Sequence, residues 1–388
     1  MKDKDKIKSS SFSLKISVLI LLVFCIVIVF ARYTTDEKFR QTVDTNIFRI
    51  RVEDSSLKTI EIDSESNPYI FAFDKYITIL NKNSLREYSQ EGELIKKFDI
   101  NISSPIVQSS GKYMVIAEKG GQNLYLLSGT NIQWETQVEG TISRVNVNDN
   151  GYVSVIMQNS IYKSVVIFYN EMGNKIFTTY LRTNYAICTD ISKDNHYLAI
   201  GEVDYSGTII KSFVKIVSAK LAETDADNAF VYEYKSENGE IITNINYEEN
   251  DRAICTFNNY VQIVTPSGDR RLYNITENDL FVDGTLDSEN IVLINKQPSG
   301  LFSFEYKLNL KSTVGKKETL YVLDTDLPKS ITVTEKYIVL NIGNEVQVIN
   351  KKGQLEKRYI GKEQISGIVA GDSIVGIIYK SRIDIIKL

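Results

Sequence analysis

The sequence predicts an all-β chain behind one N-terminal transmembrane helix. The all-β part is a β-propeller, counted at eight blades with seven as the alternative, closed by pairing of its N- and C-terminal strands. Three observations predict it. One uncharged apolar run lies near the N-terminus, short β-branched and aromatic strands recur about every 40 residues, and a glycine turn recurs at about twice that spacing.

The apolar run is Ile16–Ala31, with Lys15 before it and Arg32 behind it. As a helix it is roughly 24 Å long at 1.5 Å per residue. Leu14, Tyr33 and the stems of Lys15 and Arg32 extend it towards the roughly 30 Å of a bilayer core. Lys2, Lys4, Lys6, Lys8 and Lys15 precede the run against Asp3 and Asp5, so the positive excess places the N-terminus in the cytoplasm and the bulk outside. A cleaved signal peptide is the alternative, since Val29-Phe30-Ala31 resembles a cleavage site. The unbroken Leu, Ile, Val and Phe core favours an uncleaved anchor. Lipidation at Cys25 is disfavoured by the bulky Phe24 before it. The chain therefore divides into a cytoplasmic tail (1–13), a transmembrane helix (14–33), a juxtamembrane linker (34–56) and an extracytoplasmic propeller (57–388).

Eight strands carry the repeat. They begin at Tyr76, Tyr113, Tyr152, Tyr197, Ala253, Ile291, Tyr337 and Ile374, with gaps of 37, 39, 45, 56, 38, 46 and 37 residues. A unit of about 40 to 45 residues holding four short strands is a propeller blade. The turns Glu91-Gly92-Glu93, Met172-Gly173-Asn174, Ser267-Gly268-Asp269 and Lys352-Gly353-Gln354 fall 81, 95 and 85 residues apart, about two blades each. Within the third unit the strands read Ile142–Val147, Tyr152–Met157, Ser164–Tyr169 and Lys175–Leu181.

The last unit supplies only three strands, Ile365–Ala370, Ile374–Tyr379 and Arg382–Lys387. Leu57–Ile62, just ahead of the first unit's Tyr69–Phe73, is the candidate for the missing fourth. That pairing closes the ring and removes its free sheet edges. An open β-solenoid or a pair of sandwiches is the bland alternative.

Chemistry is harder to find. No catalytic, cofactor-binding or metal-binding residue is assigned, and no cofactor is expected. The single histidine, His196, sits in the turn Lys193-Asp-Asn-His196, where solvation is the ordinary state. Carboxylates are plentiful but none is singled out as one of a glycosidase-like pair. Asp225-Ala-Asp227-Asn228 and Asn148-Asp149-Asn150 offer oxygens that calcium favours, yet neither completes a binding loop with a distal Glu. Both read as turns. Cys188 and Cys255, each in an Ala-Ile-Cys-Thr string, read as small buried strand residues and not as a disulfide. Trp134, the only tryptophan, reads as a packing residue in an outer strand. Net charge is −4 with both signs interspersed, so nucleic acid is not an expected partner.

Two units are enlarged. Asp204–Asn228 ends acidic (Glu223, Asp225, Asp227), and Lys296–Glu318 is basic (Lys307, Lys311, Lys316, Lys317) with Leu301, Phe302 and Phe304. Such insertions either build a binding face or are longer solvated hairpins.

The span, the Tyr/Ile-rich units and the turns at Gly92, Gly173, Gly268 and Gly353 resemble a family of uncharacterised single-pass membrane-anchored propeller proteins of anaerobic Gram-positive-type bacteria. More broadly the chain looks like quinoprotein-type and WD40-like propellers. It departs from them in lacking a Trp-Asp dipeptide at the end of any unit and a repeating docking Trp. The resemblance implies an envelope-assembly type of propeller by fold alone. The expected function is a non-catalytic, membrane-tethered interaction or scaffold module at the outer face of the cytoplasmic membrane, with an envelope protein or peptide as partner. An extracytoplasmic carboxylate-dependent hydrolase, or a sensor of cell-wall components, is the alternative.

Overall fold

The computed structural model describes residues 3–36, 39–40, 42–43, 47, 51–52, 57–63, 67–237, 239–286, 290–299, 303–315, 318–323 and 327–388. Leu301, Phe302, Lys316 and Lys317 of the basic insertion lie outside the described residues.

The N-terminal helix spans Asp3–Thr35. Its window Val18–Thr35 has a mean hydropathy of 2.5, and none of it is buried against the rest of the protein. It is long and apolar enough to cross a membrane, and it is apolar all round.

Eight antiparallel sheets follow. Strands are lettered A to D from the axis outwards. Blade 1 is Tyr69–Phe73, Tyr76–Asn81, Ser84–Tyr88 and Leu94–Asp99. Blade 2 is Pro105–Ser110, Tyr113–Glu118, Asn123–Ser128 and Asn131–Gln137. Blade 3 is Thr141–Val147, Val153–Gln158, Ser164–Tyr169 and Lys175–Leu181. Blade 4 is Tyr185–Ile191, Tyr197–Asp204, Lys211–Ser218 and Phe230–Lys235. Blade 5 is Ile242–Tyr247, Ala253–Phe257, Tyr260–Thr265 and Gly268–Asn274. Blade 6 is Asp279–Leu286, Asn290–Pro298, Phe304–Ser312 and Glu318–Leu323. Blade 7 is Ser330–Val333, Tyr337–Asn341, Glu345–Asn350 and Leu355–Ile360. Blade 8 takes Gly367–Ala370, Ile374–Ile378 and Arg382–Lys387 from the C-terminus and Lys58–Glu61 from the N-terminus.

The closing ladder is antiparallel, with Thr59 opposite Asp384 and Ile60 opposite Ile383. The sequence-based expectation for closure therefore stands, with eight blades.

Each of the eight blade interfaces carries its own apolar cluster among the described residues. This explains why strands B and C do not alternate. Both faces of a blade are covered by neighbours, so Val153–Gln158 is buried at its first five positions and Ser164–Tyr169 throughout. The buried part of the interface between blades 8 and 1 is all isoleucine: Ile60, Ile77, Ile79, Ile374, Ile383 and Ile385. Branched side chains suit such a face because few rotamers are lost on packing. Gly376 lets the two blades approach. A Cβ there would lie 2.9 Å from both Ile77 Cδ1 and Val369 Cγ2.

Two elements escaped the sequence reading. Ala219–Thr224 is a six-residue helix in the strand C to strand D connection of blade 4, capped by the Ser218 hydroxyl and resting on Ala219 and Ala222. Arg51–Val52, inside the stretch read as a linker, adds a fifth, parallel strand to the outer edge of blade 7, opposite Arg358 and Tyr359.

Candidate functional site

In a four-stranded antiparallel blade the A–B and C–D turns share one end, and the B–C turns and D–A connections share the other. The ring thus has an A–B face and a B–C face, joined by an axial channel lined by strands A.

At the A–B face the turns of neighbouring blades are stitched together. The Asn148 amide donates to Ser192 O at 3.0 Å and to Asn195 Oδ1 at 2.6 Å, while its own oxygen accepts from the backbone N–H groups of Asn150 and Tyr152. The Asn150 amide reaches Lys193 O, and the Ser110 hydroxyl bonds Asp149. Side-chain atoms of Asn148, Asp149 and Asn150 are therefore engaged between blades 2, 3 and 4. Asp225, Asp227 and Asn228 form a short 3₁₀ turn in which the Asn228 amide donates to Asp225 at 2.7 Å. The His196 ring, with its side chain 72% exposed, pairs with Asp194 at 3.0 Å.

Asp190 sits in strand A of blade 4 and is the most perturbed acid near the axis. It accepts from the Asn146 amide at 2.9 Å and from the Tyr247 backbone N–H. Burial pushes its carboxyl up to about 7, against those hydrogen bonds, and the charge of Asp149 adds to the rise. Asp149, Asp190 and Glu335 line one cavity of about 270 Å³ at this mouth, with Lys193 as the only cation of its lining.

The mouth at the B–C face has the opposite sign. A cavity of about 450 Å³ is lined there by Gln108, Lys119, Arg144, Asn146, Thr189 and Asn244 among others, and no carboxylate lines it. Strand A of blade 3 carries Arg144, and the B–C turn of blade 2 carries Lys119. Two backbone hydrogen bonds hold turn and strand together: Gly120 N–H to Ile142 O at 2.9 Å and Ile142 N–H to Gly121 O at 2.8 Å. Gly120 takes φ +74°, a conformation that favours glycine.

Each enlarged unit reaches both faces, because each holds a whole strand C and the connections at both of its ends. The acidic end of Asp204–Asn228 is the C–D connection of blade 4, at the A–B face. Lys296–Glu318 begins with the B–C hairpin of blade 6, where Ser299 and Ser303 stand at the B–C face, and ends with the C–D turn of that blade, where the Thr313 hydroxyl donates to Glu248 at the A–B face. Along that hairpin Lys296 lies 4.0 Å from the Phe304 ring centroid, Lys307 pairs with Glu305 at 3.0 Å, and Lys311 lies 4.5 Å from the Tyr273 ring centroid.

Trp134 is in strand D of blade 2. Its Nε1–H donates to Glu171 O at 3.2 Å, and a Cβ on Gly173 would lie 3.1 Å from its ring, so it locks blade 2 to the C–D turn of blade 3. Cys188 and Cys255 are free and buried.

Behind the N-terminal helix, Arg40 meets the ring at the A–B face. The Arg40 guanidinium donates to Gly353 O at 2.9 Å in the C–D turn of blade 7. The family model "Family of unknown function (DUF5711)" matches residues 49–388, which take in Arg51–Val52 and the whole ring. The chain belongs to this family. No curated protein sequence matches it. Among solved structures, BamB from Moraxella catarrhalis is similar at 10% identity, with 85% of this chain and 98% of that one covered and a TM-score of 0.51. Hydrazine synthase of Kuenenia stuttgartiensis is similar at 10% identity, 87% and 99% coverage and a TM-score of 0.45. The Cps50 (Swd1) propeller domain of Myceliophteria thermophila is similar at 12% identity, 85% and 99% coverage and a TM-score of 0.43. At such identities the first likeness is one of fold, and the other two carry no argument.

Proposed function

We propose that the protein is a non-catalytic interaction module, tethered by its N-terminal helix to the outer face of the cytoplasmic membrane, with the B–C face directed at an envelope protein or peptide. The observation that carries this reading is the Arg40 to Gly353 contact. It places the exit of the apolar helix beside the A–B face, so that the long blade 6 hairpin stands on the far side. The excess of lysines before the helix supports an exported ring. Asp149 and Asp190 are held in hydrogen bonds between blades, which supports binding over carboxylate-driven hydrolysis.

The test is photo-crosslinking on intact membranes from Phe304, at the B–C face, and from Met172, at the A–B face; both are exposed. Capture of one defined protein from Phe304 alone, lost when the Lys296–Glu318 hairpin is shortened, is the expected result. Capture that survives the shortening eliminates the hairpin as the site, and capture only from Met172 reverses the orientation.

A further inference from the structure

We propose that the B–C mouth of the channel is an anion-binding site for the carboxylate or phosphate group of a small polar molecule, with Arg144 and Lys119 as its cations. This goes beyond the tethering reading and does not depend on it.

The argument begins with what the two cations lack. Lys119 and Arg144 are both exposed, line the same cavity and make no side-chain hydrogen bond or ion pair among the described residues. Several other cations of the ring are paired: Lys215 with Glu202, Arg252 with Glu248, Arg358 with Glu345 and Arg382 with Asp384. The nearest acid in the chain, Glu118, is turned aside. It accepts from the Ser103 backbone N–H at 3.3 Å and from the Asn123 amide at 3.4 Å.

The neutral groups around the cations divide into two sets. Ser143 donates to Ile156 O, Thr189 bonds Ser154, and Asn146 donates to Asp190, so these are already engaged. Gln108 and Asn244, on blades 2 and 5, keep their side-chain amides free of such bonds among the described residues. One guanidinium, one ammonium and two amides therefore face a single space. A guanidinium matches a carboxylate or phosphate with two parallel hydrogen bonds, and an ammonium adds a point charge. The amides can hydrogen-bond the hydroxyls or amides of the rest of the ligand.

Place and size fit the same use. A channel with low-dielectric walls focuses the field of the charges at its mouth. The acidic A–B mouth at the other end gives the axis a polarity that draws an anion to the B–C side and not through the ring. The cavity, at about 450 Å³, suits a small molecule and not a folded partner. The Gly120 and Gly121 backbone bonds to Ile142 fix Lys119 beside strand A of blade 3 before any ligand arrives, which lowers the ordering cost of binding.

The experiment is calorimetric titration of the full chain in detergent micelles with inorganic phosphate, glucuronate and, as the neutral control, glucose. Binding of phosphate or glucuronate, and not of glucose, is expected, and which of the two binds assigns the anionic group. Arg144→Ala should weaken that binding about tenfold or more with an unchanged melting temperature, and Arg144→Lys should keep part of it. Arg144→Ala binding as tightly as the wild type, or a wild type that binds neither acid, overturns the proposal. The crosslinking outcome from Phe304 is unaffected in either case.

Discussion

The Thr59 hydroxyl donates to Asp384 Oδ1 at 3.1 Å, joining residues 325 apart in the chain. Around it, Lys58–Glu61 pairs with Arg382–Lys387, Glu91 pairs with Lys387, and the Gln90 amide reaches Ser373 O. Blade 8 exists only when both termini are present. Deleting Ser381–Leu388 removes strand C of that blade and leaves Lys58–Glu61 with no ladder. The expected outcome is loss of the cooperative melting transition and aggregation of the ring. An unchanged thermal melt would contradict closure by this pairing.

The same interface makes a sharper prediction. Gly376 faces Ile77 and Val369 at distances that admit no further carbon. Gly376→Val should lower stability by about 1–3 kcal/mol through overpacking, seen as a lower melting temperature. A matched change at Gly129, where a Cβ meets nothing within 4 Å, tests backbone strain alone, because its φ is +53°.

Glu87, in strand C of blade 1, is fully buried, and neither carboxyl oxygen has a hydrogen-bond partner. Burial pushes its pKa up to about 7 from 4.5, with Lys96 opposing. The folded state then holds this proton more tightly than the unfolded chain. Its contribution to stability is full below about 4.5 and is lost as pH rises through 7. Glu87→Gln should therefore raise the melting temperature at pH 8 relative to pH 5, each compared with wild type, and an equal effect at both pH values would contradict the assignment.

Cys188 is held at about 12 by burial, and burial likewise carries the Cys255 thiol well above its ordinary value. Neither is a thiolate at neutral pH, and the thiolate is the reactive form. In the folded protein both should resist maleimide, and both should react in denaturant without prior reduction. Fast labelling of the native ring would contradict the packing of the interface between blades 4 and 5.

Much of this fold was legible in the chain because a propeller repeats its own period. The strand starts and the turn glycines are independent marks of one unit. Gly92, Gly173 and Gly353 share φ values of +77°, +82° and +69°, whereas Gly268, at +148°, opens strand D of blade 5 directly. The closing strand was legible because the last unit ran out of residues and Leu57–Ile62 offered the missing pattern. Arg51–Val52 was not, since two residues show no period, nor was Ala219–Thr224, one short turn and a half of helix held by a Ser cap and two alanines. The cationic mouth was out of reach for a different reason. Nothing in the order of residues says that Lys119 and Arg144 face one space. That follows from the bonds between the Gly120–Gly121 turn and Ile142, which form only when blades 2 and 3 are docked.

The central claim is that the ring works on the outer side of the membrane while held to it. Ile161, 71% exposed in the B–C turn of blade 3, is a suitable reporter because the ring's own thiols are buried. Ile161→Cys protein is treated with a membrane-impermeant maleimide in intact spheroplasts, and the membrane fraction is then recovered. The expected result is full labelling before lysis, in membrane-bound protein, above the wild-type background from Cys25. Labelling that appears only after lysis, or only in protein released from the membrane, would contradict the account.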